Sequence, residues 1–473
     1  MLQFVFKSLC FRVTRRRRRF GVISLQVTPC EQRVLLSAVD VTTSPGPAGS
    51  VKVNFEGTES DDQVLLGTHY LTGLLTAYSF NGTTFRLNGG PEVSEVTFNT
   101  ISDATFDLKG GSDYVSVFLT SIRDMNLDLG PGDDTAFIID ANVRDLKILD
   151  GVGDFEQNAY WIQNFASSFQ LRNIEAEFDR GISQLNVNAY SQQTIEVGKV
   201  EILGHNVQSV GFAIAADQNS HVIVNGHVEL TINPASFGVA NLSLGTQSTL
   251  PGDSATVELR KSIELHAPGG MLTVNGNTRV DGETEFVTTG FSNDRFSIES
   301  GAPVFNGQVN ISTGDGDDFI LWEKFDAAAS ATQFNKAVSI STGEGNDIVN
   351  IGPAVFAKSL DVDLGSSNPF GPFGVDNMRL GAVDVSGKLG VRSTGEATIV
   401  IDPPATGQTR FRKDASFTLG AGRVYVDSSD SNVIFDKSQD FTGNPNRIQV
   451  FFIGNVIANP AKRTLTNADL FAS

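Results

Sequence analysis

The stretch Leu127 to Asp140, LDLGPGDDTAFIID, decides the fold of this chain. A short strand with apolar residues at alternating positions runs into a Gly-x-Gly-x-Asp turn, and a second apolar strand leaves the turn. Versions of this unit occur along the chain, namely FDLKGGSDYVSVFL before it and VNISTGDGDDFI and VSISTGEGNDIV after it. A strand-turn-strand unit that recurs in this way is typical of a repeat protein whose coils stack on one another.

Glycines measure the length of the repeat. Gly90, Gly111, Gly132 and Gly153 follow one another at intervals of 21 residues. The same alignment gives four successive repeats an apolar residue at one position, which is occupied by Phe85, Phe106, Leu127 and Ile148. Helical periodicity is almost absent, and short apolar runs are bounded by Gly, Asn and Asp. The sequence therefore predicts an all-β fold, a single-stack parallel β-helix or solenoid of about 21 residues per coil.

The aromatic composition points to the interior of such a solenoid. The chain has 34 Phe against 6 Tyr and 2 Trp. Because Phe has no polar group that must reach water, this ratio predicts rings stacked in a dry core rather than spread over a binding face.

Composition also divides the chain into segments. Residues 1–40 are predicted to be a basic targeting segment, and residues 41–50, VTTSPGPAGS, a linker, because prolines, glycines and small polar residues cannot bury a face. Residues 51–90 are predicted to be N-terminal capping strands that include a hairpin turn at Asn81-Gly82. Residues 91–473 are then the β-helix body with a C-terminal cap.

Charge and hydropathy exclude some partners. The net charge is −19, and because residues 1–40 carry +6, the rest of the chain carries −25. An acidic body repels nucleic acid and attracts cations, so no nucleic-acid partner is expected. No apolar run reaches about 18 residues, which predicts no transmembrane segment. Cys10 and Cys30 both lie in the basic head, which leaves the body without thiol chemistry.

The N-terminal segment resembles a known export element. Residues 31–38 read EQRVLLSA and follow the arginine run Arg15 to Arg19. They resemble the LEPR-xLL segment at the N-terminus of large exported proteins of planctomycete-type bacteria, although Cys30 stands at the usual Leu and Gln32 at the usual Pro. The resemblance implies export, with placement at the cell surface or outside the cell. The alternative is a basic amphipathic tail.

The turns resemble the calcium-binding nonapeptide repeats of RTX (hemolysin-type) proteins, in which glycine carbonyls and an aspartate hold Ca²⁺. Calcium takes six to eight oxygen ligands, so one turn is not enough and neighbouring coils must contribute. Only one signature occurs per coil, so partial or isolated sites are expected. Alternatively, Gly, Asp and Asn only satisfy the backbone geometry of solenoid corners. The resemblance implies Ca²⁺ as the cofactor and the following candidate ligands: Asp113, Asp133, Asp134, Asp294, Asp317, Asp318, Asp347 and Asp376.

No catalytic constellation stands out, and the sequence predicts that the protein is not an enzyme. Asp-Asp pairs occur at 61–62, 133–134 and 317–318, but they lie in turns and lack the His and Arg motifs of the pectin-cleaving family. The preferred interpretation is an exported, non-catalytic, cell-surface structural or adhesive protein, stabilised by calcium. Its expected partners are cell-surface or matrix polymers, polysaccharide among them, and self-association is left open. The alternative is a polysaccharide-binding or polysaccharide-cleaving β-helix.

Overall fold

The chain folds into a parallel β-solenoid. The computed structural model describes residues 37–69, 72–151, 156–246, 254–322, 331–367, 375–405, 407–444, 448–454, 456–458 and 463–472. Its only helical element in these ranges is the short 3-10 helix Pro47–Gly49. Each coil places its strands on up to three faces, and each strand pairs in parallel with the equivalent strand of the next coil. The predicted all-β solenoid is therefore confirmed.

Face A runs the length of the molecule. Its strands precede the Gly-rich corner of each coil, and Leu127 pairs with Phe106 on one side and with Ile148 on the other. Its members are Val51–Glu56, Ile101–Asp107, Ser121–Asp128, Asn142–Leu149, Phe169–Phe178, Thr194–Gly204, Val228–Ile232, Ile263–Ala267, Thr284–Thr288, Val309–Ser312, Val338–Ser341, Leu360–Asp363, Leu389–Ile401, Ala415–Ser428, Gln439–Gly443 and Arg463–Thr466.

Face B follows the corner. In the later coils the strands Leu389–Ile401 and Ala415–Ser428 are long enough to cross from face A to face B. The other members of face B are Gln63–Thr68, Tyr114–Phe118, Thr135–Ile139, Gln157–Asn164, Ile182–Ala189, Ser209–Ala216, Val239–Thr246, Gly269–Gly276, Arg295–Gly301, Phe319–Trp322, Ile348–Ile351, Asp376–Leu380, Ile448–Gly454 and Ala468–Ala472.

Face C closes the coil before face A begins again. Early in the chain it is the first part of long strands such as Thr194–Gly204, and later it separates. Its separate members are His221–Val224, Thr256–Leu259, Thr278–Val280, Val304–Phe305, Thr332–Phe334, Ala354–Phe356, Val383–Val385, Thr409–Phe411, Val433–Phe435 and Ile457–Ala458. Outside the three faces, Glu344–Gly345 pairs with Ser366–Ser367.

The interior is dry and aromatic, as the phenylalanine count predicts. Phe334 is 1% exposed and stacks between Phe305 and Phe356, with ring centroids 5.0 and 4.9 Å apart and planes within 5° of parallel. These separations match the coil spacing of about 4.8 Å, so the rings stack face to face along the solenoid axis.

The replacement Phe334→Ala is expected to destabilise the solenoid strongly, because it leaves a cavity inside a ring stack. Phe-to-Ala changes in cores cost about 3–5 kcal/mol. The control is Phe237→Ala, since Phe237 is fully exposed and should change stability by less than about 0.5 kcal/mol. Urea unfolding followed by circular dichroism measures both, and equal effects of the two changes would contradict this packing.

The N-terminal end differs from the expected segments. The strand Ala38–Pro45 pairs antiparallel with Val51–Glu56 and parallel with Thr84–Leu87, and Val39 and Val41 are fully buried. The linker expected at 41–50 is therefore wrong over residues 41–45, because the alternating valines that precede the prolines bury one side of a strand. The predicted targeting segment overlaps this strand at residues 38–40, and its first 36 residues lie outside the described ranges.

Residues 51–90 are not a cap alone. The strands Val51–Glu56 and Gln63–Thr68 are already rungs of faces A and B. Antiparallel strands cover this end of the solenoid, namely Ala38–Pro45, Leu75–Ser79, Thr84–Leu87, Glu92–Val93 and Glu95–Phe98. At the other end, the last strands that the structure describes continue faces A and B as further parallel rungs, in place of the expected C-terminal cap.

The 21-residue period holds only locally. Phe106, Leu127 and Ile148 are in register at that spacing, but the next partner of Ile148 is Ala176, 28 residues later. The register also does not reach back to Phe85, because the partner of Phe106 in the preceding coil is Phe55. Later coils are longer because face C becomes separate and loops enter the corners.

Candidate metal centre: two buried aspartate columns

Aspartates occupy one inward position at the corner between faces A and B. Near the N-terminus this position is held by Asp62, Asp113 and Asp134, which we name the N-terminal aspartate column. Further along, the same position is held by Asp294, Asp318, Asp347 and Asp376, the C-terminal aspartate column. Every member of the two columns is at most 2% exposed. Stacking of coils thus brings six of the eight predicted ligands, plus Asp62, into the interior.

Hydrogen bonds connect each column along the axis. The backbone N–H of Asp113 donates to Oδ1 of Asp134 over 2.8 Å, and the backbone N–H of Asp62 donates to Oδ1 of Asp113 over 2.6 Å. In the C-terminal column, the N–H groups of Asp294, Asp318 and Asp347 donate to Oδ1 of the next aspartate over 2.8, 3.0 and 3.3 Å. One oxygen of each of these acceptor carboxyls therefore replaces a backbone acceptor at the corner, where the regular strand ladder is interrupted.

The second carboxyl oxygen has no such role. In the described residues, Oδ2 is buried without a hydrogen-bond partner in Asp113, Asp134, Asp294, Asp318 and Asp347, and so is Oδ1 of Asp62. An unpaired buried polar atom costs about 1–3 kcal/mol, and more when it is charged. A series of such atoms at one corner is unusual, because buried polar groups are almost always satisfied.

The N-terminal column holds its protons strongly. Burial raises the pKa of Asp113 to about 9, and the charges of Asp134 and Asp62 add to the effect. Burial also raises the pKa of Asp134 to about 8, with contributions from the charges of Asp150 and Glu156. In the absence of a cation, both carboxyls are therefore mostly protonated at neutral pH.

The C-terminal column is more polar. Burial raises the pKa of Asp318, Asp347 and Asp376 to about 7 each. Hydrogen bonding by Thr313 to Asp318 and by Thr342 to Asp347 opposes this shift. The first column has Leu108 and Leu129 at the equivalent positions, five residues before the aspartate. The Thr-for-Leu exchange gives the C-terminal column a weaker hold on protons.

The first aspartate of each Asp-Asp pair lies on the other side of the wall. Asp133 is exposed, and its Oδ1 accepts from the backbone N–H of Gln157 over 2.9 Å. Asp317 is half-buried, and its Oδ1 accepts from the backbone N–H of Asn346 over 2.9 Å. Since successive side chains of an extended segment point to opposite sides, a pair cannot supply both carboxylates to one inner site. Of the predicted ligands, Asp133 and Asp317 therefore stand apart from the columns.

Several column residues escape a search for Gly-x-Gly-x-Asp. Asp62 follows the sequence EGTESD, whose only mark is a glycine five positions earlier. Below Asp134 the column continues with Asn158, whose Oδ1 accepts from the N–H of Asp134 over 2.7 Å. Asn158 Nδ2 and Ser183 Oγ then donate to Asp150, each over 2.6 Å. No glycine turn precedes Asn158, so the alternation of its strand was the only available signal.

The corner suits a calcium ion in several respects. The unpaired oxygens are carboxylate oxygens, which Ca²⁺ prefers, and equivalent oxygens recur at the coil spacing of about 4.8 Å. Gly132 has a φ of 152° and lies so close to the carbonyl oxygen of Gly111 that a β-carbon would overlap it. Glycine thus allows successive turns to approach closely and leaves their backbone oxygens unobstructed. A Ca²⁺ held there would interact with inner carboxylates of neighbouring coils.

A second group of acidic and histidine side chains lies on the outside of face A. One ligand atom from each of Glu201, His227 and Glu229 lies within 4.8 Å of the others. All three are half-buried, and Lys199 Nζ already lies 2.6 Å from Glu201 Oε1. This ammonium group competes with a cation for Glu201, so the group has no claim comparable to that of the buried columns.

Two further observations bear on identity. In the described part of the chain, no helix has the length and apolar character needed to cross a membrane. Comparison with protein-family models, with curated proteins and with solved structures gives no match for this chain.

Proposed function

We propose that this protein is an exported, non-catalytic β-solenoid of the cell surface or extracellular matrix, stiffened by Ca²⁺ at its two aspartate columns. The observation that carries the proposal is the series of buried carboxyl oxygens without hydrogen-bond partners, in register from coil to coil. A cation offsets both the loss of hydration and the mutual repulsion of such groups.

The architecture supports a structural role. Faces A and B continue from Val51–Glu56 and Gln63–Thr68 to Arg463–Thr466 and Ala468–Ala472, and each strand is held by its two neighbours. A solenoid of this kind is an extended, stiff object, because each coil contacts only the next. The predicted export segment fits such a use, since a surface or matrix protein must leave the cell.

The arrangement of the acidic pairs also supports a non-catalytic role. Glycosidases need two carboxyl groups roughly 5–10 Å apart on the two sides of one substrate bond. In the pairs at 61–62, 133–134 and 317–318, the first aspartate lies on the outer side of the corner and the second lies inside it. A polysaccharide on the outside would therefore meet only one carboxylate of each pair.

The location of the protein tests the export part of the proposal. An antibody against the full chain is expected to label intact cells of the source organism or to detect the protein in the medium. Protease added to intact cells should remove the surface label, while a cytoplasmic control protein stays intact. Recovery of the protein only after lysis, with full protection from external protease, would refute export.

A further inference from the structure

A groove of about 900 Å³ lies on the outer surface between the N-terminal cap and the coil that contains Asn225. It follows the bend at which faces C and A meet in the long strands. At this bend the strand ladder skips one residue in each coil, namely Arg123, Arg144, Arg172 and Gly198. Ile122 is buried while Arg123 and Asp124 both face outward, so the normal alternation breaks and the strand turns.

Two parallel columns of polar side chains line the groove. The first holds hydroxyl and amide groups, from Ser121, Asn142 and Gln170, and the second holds guanidinium groups, from Arg123, Arg144 and Arg172. Members of the two columns are two residues apart in each strand, roughly 7 Å, and successive rungs are about 4.8 Å apart. Every coil of this region thus presents one uncharged hydrogen-bonding group and one guanidinium.

Carboxylates hold the arginines in place from behind. Arg123 donates to Asp103 over 2.7 and 2.9 Å and to Asp124 over 3.0 Å. Arg144 donates to Asp124 over 2.7 Å and to Asp145 over 2.8 Å. Within the described residues these bonds engage Nε and Nη2, which leaves Nη1 of each arginine for a ligand. Planar guanidinium groups fixed in this way are well suited to carboxylate or sulfate.

The charge of the groove is opposite to that of the protein. The three carboxylates that hold the arginines do not line the groove, and its lining includes one acidic residue, Glu196, against the three arginines. The whole chain carries −19. A basic strip on an acidic protein attracts a polyanion locally while the rest of the surface repels it, which limits binding to this strip.

We propose that this groove binds a linear acidic polysaccharide along the solenoid axis. The guanidinium groups receive the carboxylate or sulfate groups, and the hydroxyl and amide column receives sugar hydroxyls. The length of one sugar unit in an extended chain is similar to the coil spacing of about 4.8 Å, so successive units meet successive rungs. The inference specifies the matrix partner of the proposed surface protein and rests on it for access to such a polymer.

Affinity electrophoresis of the purified full chain tests the groove. The probes are polygalacturonate for carboxylates, heparin for sulfates, dextran as a neutral polymer and single-stranded DNA as a different polyanion. The measurement is made at pH 6 in EGTA, so that calcium bridges cannot contribute. At least one acidic polysaccharide is expected to retard the wild-type protein, with an effect that weakens as salt increases. The double change Arg144→Gln and Arg172→Gln is expected to weaken the affinity at least tenfold.

The matched control is Arg412→Gln, outside the groove. Arg412 is 45% exposed and donates to Asp384 through Nε and Nη2, whereas Arg144 is 47% exposed and is held in the same manner. The control should keep wild-type affinity, and circular dichroism should show that all variants are folded. No retardation by either acidic polysaccharide, equal retardation by dextran or DNA, or equal effects of the two sets of changes would overturn the proposal. None of these outcomes depends on where the protein resides, so export is tested separately.

Discussion

In EGTA, the protein is expected to become less stable as the pH rises from 5 to 8. The folded-state pKa is about 9 for Asp113, about 8 for Asp134 and about 7 for Asp318, Asp347 and Asp376. The corresponding pKa in an unfolded chain is about 3.9. Between these values the folded state binds more protons than the unfolded state, so the free energy of unfolding falls as the pH rises.

The expected effect is large. One carboxyl with such a shift lowers the stability by about 1.4 kcal/mol per pH unit, or about 3 kcal/mol between pH 5 and 7. Several of them together would remove much of the stability of a typical domain, about 5–15 kcal/mol. Thermal unfolding followed by circular dichroism, at pH 5, 6, 7 and 8 in EGTA, measures the trend.

A pair of neighbouring residues provides the control. The variant Asp318→Asn keeps an acceptor oxygen for the N–H of Asp294 but cannot ionise, so it should flatten the pH dependence and raise the melting temperature at pH 8. The variant Asp317→Asn alters the adjacent outer carboxylate and should behave like the wild type. Stability that increases from pH 5 to 8 in EGTA would contradict the burial of uncompensated carboxyls.

Calcium is expected to reverse this behaviour. Metal binding requires ionised carboxylates, so Ca²⁺ should stabilise the protein most where protons are lost, near pH 8. A ligand at 100 times its dissociation constant adds about 2.7 kcal/mol per site to the free energy of unfolding. The melting temperature at pH 8 should therefore rise clearly when EGTA is replaced by millimolar Ca²⁺, and the decline between pH 5 and 8 should disappear.

Variants and a second metal make the calcium result specific. The double change Asp318→Asn and Asp347→Asn should remove most of the stabilisation contributed by the C-terminal column, whereas Asp317→Asn should retain it. Mg²⁺ should have a weaker effect, because it requires a smaller octahedral shell and dehydrates reluctantly. An identical melting temperature in Ca²⁺ and EGTA at pH 8 would remove calcium from the proposed function and leave the columns as protonated corner structures.

Much of the fold could be predicted from local patterns. Alternating apolar residues and glycine corners, as in LDLGPGDDTAFIID, determine short strands and tight turns wherever the chain goes. The excess of Phe correctly indicated ring stacks, for example Phe305, Phe334 and Phe356. These features depend on residues close together in sequence, and a sequence shows them directly.

The register could not be obtained in the same way. An internal repeat runs through the middle and late coils, with a buried apolar residue followed two positions later by Gly or Lys. Its inward column is formed by Val224, Leu259, Val280, Phe305, Phe334, Phe356, Val385, Phe411 and Phe435. The intervals between neighbours range from 21 residues, Leu259 to Val280, to 35 residues, Val224 to Leu259. A search for a fixed period fails here, because loops at the corners change the coil length without disturbing the ladder.

The sequence by itself determined the strands, the glycine corners and the presence of an aspartate at many of those corners. Only the tertiary structure decided that Asp134 faces the interior and Asp133 the solvent, and that Asp62 belongs to the same column. It also decided that three arginines in successive coils form one strip. The physical reason is that each coil pairs with residues 21 or more positions away, so burial and the charge around a side chain depend on the neighbouring coils.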